Sequence, residues 1–192
     1  MSMILKIVSY GHPALRVKGK NVAKINKRVL RLVADMTETV IDANGIGLAA
    51  QQVGFPLQLF VLNLPGDQSR LNAMFPMVGS VPPKLLMPVA VVNPEIEPYG
   101  EVVYAMEGCL SFPVIEGSYP IQGLVPRPSC VFLCAQDLEG KKMEFHSTGL
   151  LARVIQHEFD HLQGVLFIDR MDPSTLEELK PAVERLLNFK TE

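Results

Sequence analysis

The sequence predicts an α+β fold in which mostly antiparallel sheets pack around a central helix, with another helix near the C-terminus. Short apolar or alternating runs bounded by glycine, proline and asparagine predict strands joined by tight turns. Three longer segments place apolar residues at helical spacing. The middle one, 148–163, is apolar on most sides, which is typical of a core helix. With 192 residues, the chain fits a single domain spanning 1–192.

The strands are predicted where apolar residues run or alternate between turn residues. In chain order these segments are 4–8 (a short strand or merely extended), 57–62, 89–92, 101–105, 129–136, 141–146 and 165–168. Turns at 93–94 and 99–100 separate the third segment from the fourth, and the turn 137–140 joins the fifth and sixth as a hairpin. Cys130 and Cys134 share one face of the fifth strand, too far apart to chelate one ion readily, and are expected to be core thiols.

Capping residues bound the predicted helices. Asn26 is placed to cap the first helix, at 26–44, where apolar side chains recur at helical spacing up to the glycine that follows. Ser147 or Thr148 can cap the central helix, and Gly164 is placed to end it.

The C-terminal helix is predicted to open at Asp172-Pro173-Ser174. Ser174 and Glu177 match a capping box. Pro181 lies deeper than a first-turn proline should, so this helix is expected to be kinked or to start late.

Two further segments are rich in glycine or proline. Three glycines among small residues at 45–54 let a backbone come close to a ligand or another element, and a turn before the next strand explains them equally well. No Lys-Ser/Thr follows the last of these glycines, which excludes a phosphate loop. The segment 64–88 is long for a loop inside a compact domain, and such loops are usually functional or mobile.

Composition narrows the classes of function. The 18 basic and 20 acidic residues give a formal net charge of -2 without a basic cluster, so neither nucleic acid nor an anionic membrane surface is expected as a partner. No stretch approaches a membrane-spanning helix and the first residues lack a signal-peptide core, so a cytoplasmic protein is expected. The 3 cysteines argue against a disulfide framework and for a reducing compartment, where a thiol can bind metal.

One spacing in the central helix is hard to explain by packing alone. His157 and His161 are four residues apart, so their imidazoles project from one face and are close enough to share a metal ion. Glu158 lies next to that face, where it can reach a metal-bound water without being a ligand. Burying such polar side chains in an apolar helix costs free energy unless a bound metal compensates them. The alternative interpretation is a surface helix whose polar residues form pairs four residues apart. Asp160 should point away from the metal and pair with a basic residue, the candidates by charge being Arg127 and Arg170.

Three stretches, in this order, closely resemble the three signature motifs of the peptide deformylases. They are Gly45-Ile46-Gly47-Leu48-Ala49-Ala50-Gln51-Gln52, Glu107-Gly108-Cys109-Leu110-Ser111 and Gln156-His157-Glu158-Phe159-Asp160-His161-Leu162. The similarity extends from the N-terminal segment to Ile168. It implies a hydrolase that removes the formyl group from the N-formylmethionine of newly made polypeptides and releases formate.

The resemblance also implies one divalent metal ion, natively Fe2+, for which Zn2+, Ni2+ or Co2+ can substitute. Its ligands would be Cys109, His157 and His161, with water in the fourth position, as in catalytic rather than structural sites. The metal would turn this water into hydroxide that attacks the formyl carbon. Glu158 would act as general base and then general acid. The Gln52 side chain and the Leu110 backbone N–H would stabilise the oxyanion.

Substrate contacts are implied in the same way. The peptide would lie extended between Gly47 and Gly108 and add main-chain hydrogen bonds as an extra strand. The methionine side chain would enter an apolar pocket beside the central helix, where Arg153 would narrow the mouth or pair with a carboxylate. The implied partners are N-formylmethionyl peptides and nascent chains with transient ribosome contact, without nucleic-acid specificity or a membrane. The implied location is the bacterial cytoplasm, or an organelle stroma or matrix.

One segment departs from the family pattern. The segment 112–124 is longer than in the common bacterial form and lacks the arginine with which some members bind the substrate backbone.

Two other classes of protein would have some of the same sequence features. A zinc endopeptidase has the same helix motif but draws its third ligand from a downstream His or Glu, whereas Cys109 lies upstream. A metal-stabilised protein could instead bind formylated N-termini or ribosomes without turnover. The presence of Glu158, Cys109 and Gln52 together argues against that alternative.

Overall fold

The computed structural model describes residues 2–64, 87–115 and 118–188, and it confirms the predicted α+β fold. Within these ranges, five strands form one sheet whose neighbours in sequence pair antiparallel. The strands are Gly47–Ala49 (β1), Leu59–Leu62 (β2), Val89–Glu107 (β3), Gly123–Gln136 (β4) and Lys142–Thr148 (β5). The α-helices are Lys27–Asp42 (α1), Gly149–Leu162 (α2) and Pro173–Asn188 (α3). Most of the loop predicted at 64–88 lies outside the described residues.

Helix α1 follows the sequence pattern closely. The Asn26 side chain accepts hydrogen bonds from the backbone N–H groups of Arg28 and Val29, which confirms the predicted N-cap. Met36 and Val40 of its apolar stripe are fully buried in a cluster with residues of β1 and β2, whereas Ile41 at the C-terminal end of the stripe is 47% exposed. None of the helices in the described ranges is long and apolar enough to cross a membrane.

Helix α2 lies at the centre of the fold because apolar partners surround most of it. Leu151 and Ile155 are almost completely buried, in the same cluster as Phe60 of β2 and Leu133 of β4. Burying so much apolar surface stabilises the helix far more than its intrinsic propensity does. The polar groups on its remaining face are therefore held in fixed positions by a packed core.

The ends of α2 agree only partly with the prediction. Thr148 occupies the N-cap position, but its side chain makes no capping hydrogen bond, and the Ser147 hydroxyl donates to the Val131 carbonyl instead. The predicted side-chain cap is therefore wrong, because the Ser147 hydroxyl bonds to a carbonyl of β4 and not to the start of the helix. Gly164 follows the helix with φ of +75°, a conformation that suits glycine and ends the helix as predicted.

Strand β3 corrects the prediction of two separate strands. Val89–Glu107 is one continuous 19-residue strand, and the predicted turns are irregularities inside it. The register with β4 shifts between Val92 and Glu95 and again between Tyr99 and Val102. Asn93 and Gly100 have φ of +50° and +86°, as bulged positions allow. Such turn residues would end an isolated strand. In β3 they only bend the strand, because β4 stays paired with it on both sides of each irregularity.

Three shorter segments also differ from the prediction. The glycine-rich segment 45–54 contains β1 and the 3-10 helix Ala50–Val53 rather than only a turn. The segment 165–168 is not a strand, since Phe167–Asp169 forms a 3-10 helix. Cys130 and Cys134 share a face of β4 as predicted, but that face points away from α2 and leaves them only half-buried, so they are not core thiols.

Helix α3 is capped by a different residue from the one predicted. The Asp172 carboxylate accepts hydrogen bonds from the backbone N–H groups of Ser174 and Thr175, so it replaces the predicted capping box of Ser174 and Glu177. The helix also runs from its first residue through Pro181 without a late start. An aspartate one residue before a first-turn proline is itself a strong N-cap signal.

Candidate metal centre and active site

The structure brings the three candidate metal ligands together. Cys109 follows the end of β3, whereas His157 and His161 lie one turn apart on α2. One donor atom from each lies within 4.8 Å of the others, and the Cys109 sulfur is 3.3 Å from Nε2 of His161. One thiolate and two imidazoles suit a divalent transition metal. Three protein donors leave a coordination position for water or substrate.

The orientation of His157 is set by a carboxylate behind it. Its Nδ1 donates to Oε2 of Glu107 at 2.9 Å, since an ionised carboxylate can only accept. Nε2 of the same ring is therefore the nitrogen left for a metal, the usual arrangement for a metal-binding histidine. Burial lowers the pKa of His157, but its hydrogen bonds with Cys109 and Glu107 outweigh this effect and raise the pKa well above its ordinary value.

His161 has different surroundings. It is 1% exposed, and its Nδ1 lacks a hydrogen-bond partner among the described residues. Burial, and then the positive charge on His157, hold its pKa well below the ordinary histidine value. A neutral ring keeps a lone pair available for a metal, so the environment of His161 favours ligation.

Glu107 is the centre of a buried ion-pair network. Arg127 binds it with two nitrogens, Nε to Oε1 at 2.7 Å and Nη2 to Oε2 at 2.9 Å, and Nη1 of Arg153 donates to Oε1 at 2.6 Å. Burial alone raises the pKa of Glu107, but the hydrogen bonds from His157 and Arg127 outweigh it and hold the pKa far below its usual range. Glu107 is therefore a fixed anion that orients the candidate metal ligand His157.

Asp160 extends the same network on the opposite side of Arg127. It accepts from Nη1 of Arg127 at 2.8 Å and from Nη2 of Arg170 at 2.7 Å. The prediction that Asp160 pairs with a nearby arginine is confirmed, and both candidates are partners. It does not belong to the group of potential metal ligands.

Glu158 has no such set of partners. It is 3% exposed, and its Oε2 makes no hydrogen bond within the described part of the chain. Burial raises its pKa to about 7, against the opposing charges of His157 and Arg127. A buried carboxyl group with this pKa can both accept and release a proton at neutral pH.

Gly47 provides the space that Glu158 occupies. A methyl group at this glycine would overlap the Glu158 carboxylate, with only 2.8 Å to its carboxyl carbon. The glycine in β1 therefore allows α2 to place its carboxylate against the strand. The sequence predicted a close approach at this segment without identifying what approaches.

The Gln52 side chain is oriented by hydrogen bonds at both ends. Its Oε1 accepts from the Ala49 backbone N–H at 2.8 Å, so Nε2 points toward the Cys109 sulfur and the Ser111 hydroxyl, each at 3.4 Å. Gln52 is 1% exposed. An amide held in this way is a preorganised donor beside the candidate metal ligands.

A pocket of about 670 Å³ opens over these groups. Gly47 and Gly108 line it, as does Leu110 next to Cys109, and α2 contributes Leu150 and Val154. The segment 112–124 supplies further lining residues, namely Phe112, Val114, Pro120, Ile121 and Gln122. A pocket that is mainly apolar and contains a few converging polar groups is typical of a small-ligand or peptide site.

Arg153 lines this pocket, but its guanidinium is turned toward the protein. Besides Glu107, it donates to the carbonyls of Val125 at 2.9 Å and Val103 at 2.6 Å. Of the two roles weighed for it, pairing with a carboxylate is the one the structure displays.

The roles of Glu107 and Arg127 were not assigned from the sequence. Glu107 stands two residues before Cys109, so a search for a carboxylate to fix the second nitrogen of a ligand histidine could have identified it. Arg127 lies in a different strand, and its sequence position gives no such clue.

Comparison with known proteins agrees with this geometry. A sequence model of the polypeptide deformylase family matches residues 4–177. A peptide deformylase of Opitutus terrae is 44% identical over 187 residues, covering 96% of this chain and 93% of its own. The chloroplastic peptide deformylase 1B of Solanum lycopersicum is 38% identical, covering 92% of this chain and 56% of its own.

Solved structures give the same result. Arabidopsis thaliana peptide deformylase 1B in complex with an inhibitor superposes with a TM-score of 0.78 at 36% identity, covering 95% of this chain and 90% of that one. The Thermotoga maritima peptide deformylase superposes with a TM-score of 0.72 at 36% identity, covering 88% and 99%. With its matched motifs, its fold and the span of these similarities, the chain belongs to the polypeptide deformylase family of hydrolases.

Proposed function

We propose that the chain removes the formyl group from the N-terminal N-formylmethionine of newly made polypeptides and releases formate. The observation that carries this proposal is the convergence of Cys109, His157 and His161 beside the unpaired Oε2 of Glu158, in a pocket of about 670 Å³. Family membership supports the reaction, and the arrangement of donors supports the roles assigned below. The whole chain, 1–192, would act as one catalytic domain.

Cys109, His157 and His161 would hold one divalent metal ion. We expect Fe2+ natively, with Zn2+, Ni2+ or Co2+ able to substitute, because thiolate and imidazole donors accept all four. When bound, the metal supplies Lewis-acid polarisation of the formyl oxygen and an activated water as nucleophile. Glu107 supports this role by keeping the His157 ring in one orientation.

Glu158 would move the proton. Its pKa of about 7 lets it take a proton from the attacking water and then deliver one to the leaving amine nitrogen. Its burial also keeps bulk water from competing for that proton. Positioned acid–base catalysis of this kind typically contributes about 10²- to 10⁴-fold to the rate.

Gln52 and Leu110 would stabilise the charge that develops on the formyl oxygen. The Gln52 amide has its oxygen engaged by Ala49, which leaves Nε2 as the group available to the oxyanion. The Leu110 backbone N–H would be the second donor, since Leu110 adjoins Cys109 and lines the same pocket. Donors fixed in advance need little reorganisation in the transition state, and this makes them effective.

The peptide would lie extended between Gly47 and Gly108, with its methionine side chain beside Leu150 and Val154 of α2. Main-chain hydrogen bonds to the strand edge give affinity that is largely independent of sequence. This would suit an enzyme that acts on many nascent chains. Transient ribosome contact, in the bacterial cytoplasm or an organelle stroma or matrix, would bring the enzyme to its substrates.

A formate-release assay tests the proposal directly. The protein is loaded anaerobically with Fe2+, Ni2+ or Zn2+ and mixed with an N-formylmethionyl peptide. We expect one formate and one new free amine for each peptide consumed, and no reaction with the same peptide lacking the formyl group. Cleavage of an internal peptide bond would instead support the endopeptidase alternative, and metal binding without turnover would support the binding-protein alternative.

A further inference from the structure

Arg153 connects α2, the sheet and the carboxylate that orients His157. It lies one helical turn before His157 and is 9% exposed. Its Nη1 donates to Oε1 of Glu107 at 2.6 Å, while Oε2 of the same carboxylate accepts from Nδ1 of His157 at 2.9 Å. We propose that Arg153 is a positioning residue that holds the metal ligand His157 through Glu107, rather than a residue that binds substrate.

The hydrogen bonds of Glu107 explain how this positioning works. Each carboxylate oxygen accepts from two donors, Oε1 from Arg127 and Arg153, and Oε2 from Arg127 and His157. Arg127 alone would leave the outer side of Oε1 without a charged donor. With Arg153 in place, rotation of the carboxylate that pulls Oε1 away from its donors breaks two charge-assisted hydrogen bonds instead of one, so the orientation facing His157 is held more firmly.

Arg153 is itself anchored to both strands beside it. It donates to the carbonyls of Val125 in β4 and Val103 in β3. Three bonds from one planar guanidinium fix its position relative to the sheet. Since Arg153 and His157 are four residues apart on α2, they lie on the same side of the helix and meet the same carboxylate.

The same contacts argue against a substrate-binding role. The guanidinium directs donors to Glu107 and to two carbonyls of the protein, and its side chain is almost fully buried. A substrate contact would require it to give up bonds inside a network where unpaired groups are costly. The inference rests on the proposed metal site but not on the identity of the substrate.

Three variants test it: Arg153→Met, Arg153→Lys and Arg170→Met as the matched control. Arg170 belongs to the same network through Asp160 but does not bond to Glu107. Zn2+ affinity is measured by competition with a chelator, and the visible spectrum of the Co2+-loaded protein reports the ligand geometry. We expect Arg153→Met to weaken Zn2+ binding about tenfold, at the lower end of the range for groups that support a metal ligand, and to alter the Co2+ spectrum. Arg170→Met should leave both unchanged.

Two other outcomes would overturn the inference. A raised KM for formylated peptide with unchanged Zn2+ affinity would make Arg153 a substrate contact. A similar loss of thermal stability in Arg153→Met and Arg170→Met, with normal Zn2+ affinity in both, would make it purely structural. If Arg153→Met does not fold, Arg153→Lys decides, because a single ammonium cannot replace the three bonds and should still weaken Zn2+ binding.

A double-mutant cycle tests the route through Glu107. In a Glu107→Gln background, Arg153→Met should weaken Zn2+ binding no further, whereas independent effects would add. Formate release is assayed separately on the unsubstituted protein. Failure of that assay with the Zn2+ results as expected would overturn the proposed reaction and leave the positioning role intact.

Discussion

Glu107 and Glu158 are two buried carboxylates of one site with opposite surroundings. They are 7% and 3% exposed, so burial hardly distinguishes them. Glu107 receives four hydrogen bonds from Arg127, Arg153 and His157, whereas Oε2 of Glu158 receives none from the described residues. The pKa of Glu107 is lowered and that of Glu158 is raised to about 7.

This difference shows that pairing, rather than burial, decides what a buried carboxylate can do. A carboxylate surrounded by donors stays ionised and costs energy to move, so it suits the task of orienting a metal ligand. A carboxylate with a free oxygen gains little from ionisation, so its proton is exchangeable near neutral pH. Helix α2 places Glu158 one residue after His157, and Glu107 at the end of β3 accepts a hydrogen bond from Nδ1 of that histidine.

The largest expected effect is that of Glu158→Gln. The amide keeps the shape of the side chain but cannot accept the proton, so the rate of formate release should fall about 10²- to 10⁴-fold. Zn2+ affinity should stay unchanged, because Glu158 is not a ligand in this arrangement. Steady-state kinetics and chelator competition measure the two quantities. Equal turnover in the variant and the parent would show that another group moves the proton.

Asp160→Asn should mainly affect stability. It removes a buried negative charge from between Arg127 and Arg170. The free energy of unfolding should fall by about 3 kcal/mol, because the buried Arg127 guanidinium loses one of its charged partners. The metal content of the folded protein should not change, as measured by metal analysis. Glu177→Gln, which breaks only an exposed pair with Lys180, serves as the control and should have little effect. Metal loss at full thermal stability would instead place Asp160 in the metal site.

Gly47→Ala should have a smaller effect on catalysis. The added methyl group would overlap the Glu158 carboxylate and displace it, and we expect kcat to fall about tenfold, as small misplacements of catalytic groups typically cost this much or more. Zn2+ affinity should be retained because the atoms nearest the new methyl group all belong to Glu158, which is not one of the candidate ligands. An unchanged kcat would show that Glu158 can reach its proton from a different position.

Local patterns in the sequence predicted much of the fold and part of the site. The Asn26 cap, the central helix and the His157–His161 pair depend on residues within one or two turns, and such short-range relations can be read from spacing. The continuity of β3 could not be read in this way. Asn93 and Gly100 are residue types typical of turns, and only the pairing with β4 shows that the strand continues past them.

The ion-pair network illustrates the same limit within the site. Glu107, Arg127 and Arg153 come from β3, β4 and α2, and their contacts depend on how the strands pass the helix. Charge alone suggested both arginine partners of Asp160 but said nothing about Glu107. Long-range contacts of this kind were located only by the structure.

The smallest expected effect concerns Asp172, which lies outside the site. This carboxylate has hydrogen-bond partners but is not deeply buried, so it tests the effect of pairing apart from that of burial. It lies half-exposed at the start of α3, where it accepts hydrogen bonds from the side chains and backbone N–H groups of Ser174 and Thr175. These bonds, led by the Ser174 hydroxyl, lower the pKa of Asp172 below its ordinary value of 3.8, although it is far less buried than Glu158.

A carboxylate with a lowered pKa stabilises the folded state fully above its unfolded pKa, and this contribution is lost as the pH falls through the folded value. Asp172→Asn keeps a capping side chain without the charge, so α3 should be slightly less protected in the variant at neutral pH, and the difference should shrink steadily as the pH falls below the unfolded pKa. Hydrogen exchange of the α3 amides in both proteins, from neutral pH to about pH 2, measures it. A difference that stays constant with pH would mean that the charge of Asp172 contributes nothing, and that pairing lowers a carboxyl pKa in this protein only where water is excluded.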